Sequence, residues 1–97
     1  MKKDTLKYLQ SLMIRQLKRR GFYPLKEQDV LLRLGEEVGE VFEAVREKQS
    51  KLDISRELVD VLWMILIFSD LRKIDLGRAF LEKLRYNEDR PNQKTSR

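Results

Sequence analysis

Apolar residues recur along this chain at intervals of three and four and almost never at two, a spacing that predicts helices and no strands. A first helix runs over 4–20, with Leu6, Leu9, Met13 and Leu17 as its stripe and Leu12 and Ile14 beside it. Gly21 is a natural stop, and Phe22, Tyr23 and Pro24 turn the chain. A second helix covers 25–48, with Val30, Leu31, Leu34, Val38, Val41, Phe42 and Val45 in helical register. Gly35 and Gly39 lie inside it, each costing about 1 kcal/mol relative to alanine. Glycine there makes sense where another backbone or a ligand comes close. After a polar link at 49–52, a third helix spans 53–73. It is apolar nearly all round from Val59 to Phe68, which predicts the buried central element. Asp75 caps a fourth helix that sends Leu76, Phe80, Leu81 and Leu84 toward the core and ends at 87–90, where Pro91 stops it. The expected fold is an all-α four-helix bundle. A single domain spans 1–97, with a core at 4–90 and a flexible polar tail at 91–97.

Length and composition narrow the chemistry. A chain of 97 residues makes one small domain, and a helical protein of this size commonly supplements its core through subunit contacts, so a homodimer or homotetramer is expected. Cysteine is absent, which excludes disulfides, thiolate nucleophiles and zinc–thiolate sites. Histidine is absent too; that removes imidazole bases and argues against the Glu-x-x-His pairs of non-haem iron bundles. No long apolar run follows the opening residues, so neither a secretory signal nor a membrane span is expected, and the default setting is cytoplasmic.

The net charge of +5 conceals an internal contrast. Residues 1–20 carry seven Lys and Arg against Asp4 alone, whereas 27–60 carry ten acidic residues against five basic ones. An acidic centre between basic ends suits an anionic substrate that reaches the protein through a metal. It also suits a nucleic-acid binder working through Lys18, Arg19 and Arg20, although no groove-reading motif accompanies them.

The acidic centre has two parts. Glu36, Glu37, Glu40 and Glu43 alone read as a solvated helix face. Glu57 and Asp60 change the weighing, because Asp60 stands between Val59 and Val61 at the head of an apolar helix, where an unpaired charge costs several kcal/mol. A metal, an arginine or lysine (Arg33 or Arg56 foremost) or exposure at the helix end satisfies it, and the pattern does not choose between metal and ion pair. Residues three or four apart share a helix face. Two such helices packed together therefore gather four or five carboxylates, a donor set suited to Mg²⁺ or Mn²⁺. Lys83, Asn87 and Arg90 project from one side of the last helix, placed to clasp phosphate oxygens; a cationic helix terminus complementing the macrodipole is the plainer reading. Tyr8, Phe22, Tyr23 and Trp63 offer stacking surfaces for a base, though aromatics at helical spacing more often fill cores.

In combination, Glu36-Glu37-Val38-Gly39-Glu40, Glu57-Leu58-Val59-Asp60, Ile74-Asp75-Leu76 and the late Lys83, Asn87 and Arg90 resemble the MazG-like all-α nucleoside triphosphate pyrophosphohydrolases. The resemblance covers roughly 25–91. It implies a Mg²⁺-dependent hydrolase (Mn²⁺ being an alternative) that converts a nucleoside triphosphate to the monophosphate and pyrophosphate in nucleotide-pool house-cleaning. It further implies that Glu37, Glu40, Glu57 and Asp60 hold the metal and that Glu36 acts behind them or as base for the attacking water, with Glu36 and Glu40 the catalytic candidates. Lys83, Asn87 and Arg90 would hold the triphosphate. Where the family often carries tryptophan upstream of the first glutamates, this chain has only Phe22 and Tyr23. Trp63, three residues past Asp60, either lines the base pocket or fills the core. The rival readings are a non-catalytic helical interaction module and the basic nucleic-acid binder.

Overall fold

The computed structural model describes residues 5–90, which form four helices: α1 Thr5–Arg19, α2 Glu27–Arg46, α3 Lys51–Leu71 and α4 Leu76–Asp89. The expectations for Asp4, Pro91 and the tail lie outside the described residues. The fold class is as expected, and no strand occurs among the described residues.

Local chemistry sets the helix ends. Ser50 caps α3 by accepting from the Asp53 N–H at 3.1 Å, and Asp75 caps α4 by accepting from the Arg78 N–H at 3.1 Å. Three helices close in the same way. Gly21, Lys48 and Lys73 each adopt a positive φ (77°, 55° and 57°). The N–H groups of those residues and of the ones that follow fold back onto carbonyls of the last turn, as in Phe22 to Leu17, Gln49 to Ala44 and Ile74 to Ser69. The sequence reading carried α2 to Lys48 and α3 to Lys73, because a lysine gives no sign that it will take the left-handed conformation. The link after α2 keeps its expected length but lies two positions earlier, at 47–50.

α2 and α3 form an antiparallel hairpin that supplies most of the tertiary contact. At its open end Arg72, just past α3, makes a two-pronged contact with Glu27 at the start of α2, one prong being Nη2 to Oε1 at 3.2 Å. Close by, Tyr23 donates its hydroxyl to Asp70 at 2.6 Å, and burial followed by that carboxylate pushes the phenol well above its ordinary pKa. α1 lies across the C-terminal half of α3, where Met13, Ile14, Val30, Leu66 and Ile67 make the core. Gln10 Nε2 donates to the Leu66 carbonyl at 2.8 Å, and the buried Ser69 hydroxyl donates to that of Ile65 at 2.9 Å.

Two expectations about packing are corrected. α3 is not buried along its whole apolar run: Leu66 and Ile67 are enclosed, but Val59 and Leu62 are exposed, since α1 covers only the later turns. α4 does not drive its stripe inward. It packs mainly on α1, Leu76 reaches the core, and Phe80, Leu81 and Leu84 stay in solvent. Among the described residues the single chain encloses six hydrophobic ones and leaves eighteen large ones exposed, so amphipathic faces outnumber the partners it offers them. Likewise, a Cβ added at Gly35 or Gly39 meets nothing within 4 Å among the described residues.

Candidate metal centre

The middle of the α2–α3 hairpin carries the acidic residues. At about 100° per residue, Glu36 and Glu40 lie on one flank of α2, and Glu37 sits closer to the seam with α3. Asp53 and Asp60 lie on the matching flank of α3, with Glu57 closer to the seam. Antiparallel packing brings these flanks to one side of the hairpin. Carboxylate oxygens of Glu37, Glu57 and Asp60 accordingly fall within 4.8 Å of one another. Glu37 and Glu57 are half-buried and Asp60 is exposed.

The electrostatics follow from that crowding. Glu57 has its pKa raised above the ordinary carboxylate value, first by burial and then by the negative charges of Glu40, Asp60, Glu37 and Asp53. No ion pair among the described residues includes Glu40, Glu57 or Asp60. The arginine considered as Asp60's partner, Arg33, turns elsewhere: its Nε donates to Glu37 at 3.2 Å and lies 4.0 Å from Glu36. The ion-pair reading of Asp60 through Arg33 is thereby corrected, and Arg56 forms no ion pair with it either.

The donor set fits a small divalent cation. Oxygens on opposite sides of Mg²⁺ are about 4 Å apart at the usual ~2.1 Å bond length, so a spread of up to 4.8 Å closes with small side-chain rotations. All donors are hard carboxylate oxygens, as Mg²⁺ and Mn²⁺ prefer.

The remaining candidates fall into three places. Glu36 is 62% exposed in its side chain and stands outside the group of three, whereas Glu37 is only 13% exposed. Glu40 stands close enough to Glu57 to be the largest charge acting on it. Trp63 packs against the core and lines a groove of about 330 Å³ between α1 and α3, with Leu12, Met13 and Val59 among its neighbours. Lys83, Asn87 and Arg90 belong to the last turns of α4 and the residue that follows it. Lys83 and Arg90 lie over the Tyr86 ring at 5.9 and 5.3 Å. Within the single chain α4 rests mainly on α1, whereas the carboxylates are carried by α2 and α3.

Sequence reasoning missed a cleft of about 270 Å³ between the first turns of α2 and Met64 of α3, lined by Leu25, Asp29, Val30, Leu32, Arg33 and Glu36. Its apolar lining did not stand out from an ordinary core stripe. The aromatic residues expected upstream of the glutamates have other work: Tyr23 ties down Asp70, while Phe22 lies under the Arg20 guanidinium at 5.1 Å. Lys18 is likewise placed over Tyr23 at 5.8 Å, so two cations of the basic stretch stack on the chain's own rings. No helix among the described residues is long and apolar enough to cross a membrane.

Residues 25–93 match the family model described as the MazG nucleotide pyrophosphohydrolase domain, well over half of the chain and including every acidic residue of the cluster. Comparison with curated proteins and with solved structures gave no match.

Proposed function

Since this chain belongs to the MazG nucleotide pyrophosphohydrolase family, we propose that it hydrolyses a nucleoside triphosphate to the monophosphate and pyrophosphate at the carboxylate cluster between α2 and α3. In this reading Glu37, Glu57 and Asp60, joined by Glu40, hold Mg²⁺, with Mn²⁺ as the alternative ion. The supporting observation is the convergence of carboxylates from two helices to within 4.8 Å. Like charges held that close are unfavourable alone and become favourable around a cation.

Bound Mg²⁺ supplies electrostatic stabilisation to the phosphate oxygens and to the departing pyrophosphate. The residues do the rest. Glu36, exposed and outside the group of three, is the base available to take a proton from water as the water oxygen bonds to phosphorus and the anhydride bridge breaks. Glu40 sets the charge around Glu57 and shares the ligand role. Lys83, Asn87 and Arg90 supply two cations and an amide for phosphate oxygens.

The test is pyrophosphate release with Mg²⁺ across a panel of ribo- and deoxyribonucleoside triphosphates, with Glu40→Gln and Asp60→Asn as controls. Wild-type turnover well above both variants on at least one substrate supports the proposal. A wild type no faster than the variants on every substrate would replace it with the non-catalytic helical module.

A further inference from the structure

Arg33 stands where the acidic centre meets the cleft between α2 and Met64. It lines that cleft together with Glu36, and its Nε donates to Glu37 at 3.2 Å while lying 4.0 Å from Glu36. The two members of the Glu37 pair differ in setting. The Glu37 side chain is 13% exposed and that of Arg33 is 59% exposed. The carboxylate is thus fixed near the seam, and a long guanidinium arm reaches it from solvent. Ion pairs with so exposed a member contribute little to stability, so the arm is easily moved.

Glu37 is also one of the three carboxylates whose oxygens fall within 4.8 Å of one another. A divalent cation among them carries twice the charge of a guanidinium and meets three carboxylates where Arg33 meets one. The two cations compete for Glu37, and the metal is the stronger competitor. We propose that Arg33 yields Glu37 to the metal and then grips a phosphate oxygen of the nucleotide, so that one guanidinium partners the site before substrate arrives and the substrate afterwards. This rests on the metal-dependent reading above and adds to it a substrate-binding residue on α2.

Three observations support the second half of that exchange. A planar guanidinium that pairs with carboxylate oxygens is equally suited to phosphate oxygens. The cleft of about 270 Å³ beside Arg33 leaves the arm room to turn. Finally, phosphates bound at the metal lie against α2 and α3, whereas Lys83 and Arg90 are carried at the end of α4, a helix that rests mainly on α1. Arg33 is the cation that the described residues of the hairpin bring into ion-pair distance of the cluster.

The experiment is calorimetric titration of the full chain, first with Mn²⁺ alone. It is repeated with an α,β-methylene nucleoside triphosphate at saturating Mn²⁺, for wild type, Arg33→Gln and Arg33→Lys. Glutamine is a good helix former, so the exposed position keeps its helix. Arg33→Gln should bind Mn²⁺ about 3- to 10-fold more tightly, because a competing and repelling charge is gone. It should bind the analogue about 10-fold more weakly, having lost a charge-assisted contact. Arg33→Lys should return Mn²⁺ affinity to the wild-type value and recover only part of the analogue affinity, since the charge is kept and the fork is not. A merely structural role would move both affinities in the same direction. Arg33→Gln that binds Mn²⁺ no more tightly than wild type, or the analogue no more weakly, overturns the proposal and leaves the metal-dependent reading standing. A wild type that binds neither Mn²⁺ nor the analogue overturns both.

Discussion

The open end and the middle of the same helix pair obey opposite rules. Where α2 begins and α3 finishes, two carboxylates have complements: Glu27 meets Arg72 and Asp70 meets Tyr23, beside core residues that α1 helps to enclose. A few turns along, Glu37, Glu40, Glu57 and Asp60 crowd together, Arg33 pairing with Glu37 alone of the four among the described residues, and the apolar side chains behind them lie bare. The first arrangement stabilises a lone chain. The second is unfavourable in a lone chain and is relieved by a bound cation, which separates the part of the hairpin that holds shape from the part where we propose the chemistry.

The sharpest way to break this contrast is Asp60→Asn. Loss of groups that merely support metal ligands costs 10- to 100-fold, so loss of a direct carboxylate should lower turnover at least ~100-fold, measured as pyrophosphate release. Without metal the same variant should melt no lower than wild type, because it removes a charge from a repelling group. Glu57→Gln should go further and raise the melting temperature in EDTA, while abolishing any rise that Mg²⁺ gives the wild type. A clear loss of stability in either variant would turn the cluster into a structural feature.

Next in size, Lys83→Ala or Arg90→Ala should weaken nucleotide binding by about 10-fold or more, in line with charge-assisted hydrogen bonds. Mg²⁺ binding followed by calorimetry should hardly change. Equal losses of nucleotide and metal affinity would remove the phosphate-holding role.

The closed end predicts the reverse pattern. Tyr23→Phe should cost about 1–2 kcal/mol of unfolding free energy, the worth of a hydrogen bond to a charged acceptor, with turnover unchanged. Its pH dependence has a definite sign. The folded phenol is raised above the unfolded value of 10.0. This contribution to stability is therefore fully present below pH 10 and is lost as pH rises through the folded pKa. Wild type should lose stability in that alkaline range more steeply than Tyr23→Phe, as followed by urea titrations at several pH values. Smallest of all, Lys48→Gly should stabilise the protein by up to ~1 kcal/mol, since glycine takes the left-handed conformation without steric penalty.

These same residues mark what the sequence made legible. Asp75 and Gly21 announced a cap and a stop because their chemistry is local, whereas Lys48 and Lys73 end helices by tertiary circumstance. Glu37, Glu57 and Asp60 were foreseeable as a cluster, since helical spacing fixes their faces and a short link enforces antiparallel packing. Arg33's choice of Glu37 over Asp60 was not, because both are within reach of a long side chain and only the seam between helices decides. Phe80, Leu81 and Leu84 carry the pattern of a buried stripe, yet periodicity records that a face is apolar and says nothing of which surface covers it.

The Glu27–Arg72 contact, with Tyr23 on Asp70 beside it, has a consequence at a distance. Helices packed side by side can slip lengthwise, and a slip of one turn, about 5.4 Å, would carry Glu37 past Asp60 and scatter the acidic oxygens. The forked guanidinium meets its carboxylate in one register only, and the enclosed Val30, Leu66 and Ile67 favour the same one. The close of α3 thus adds a modest preference for the one register that lines up the acidic residues several turns away.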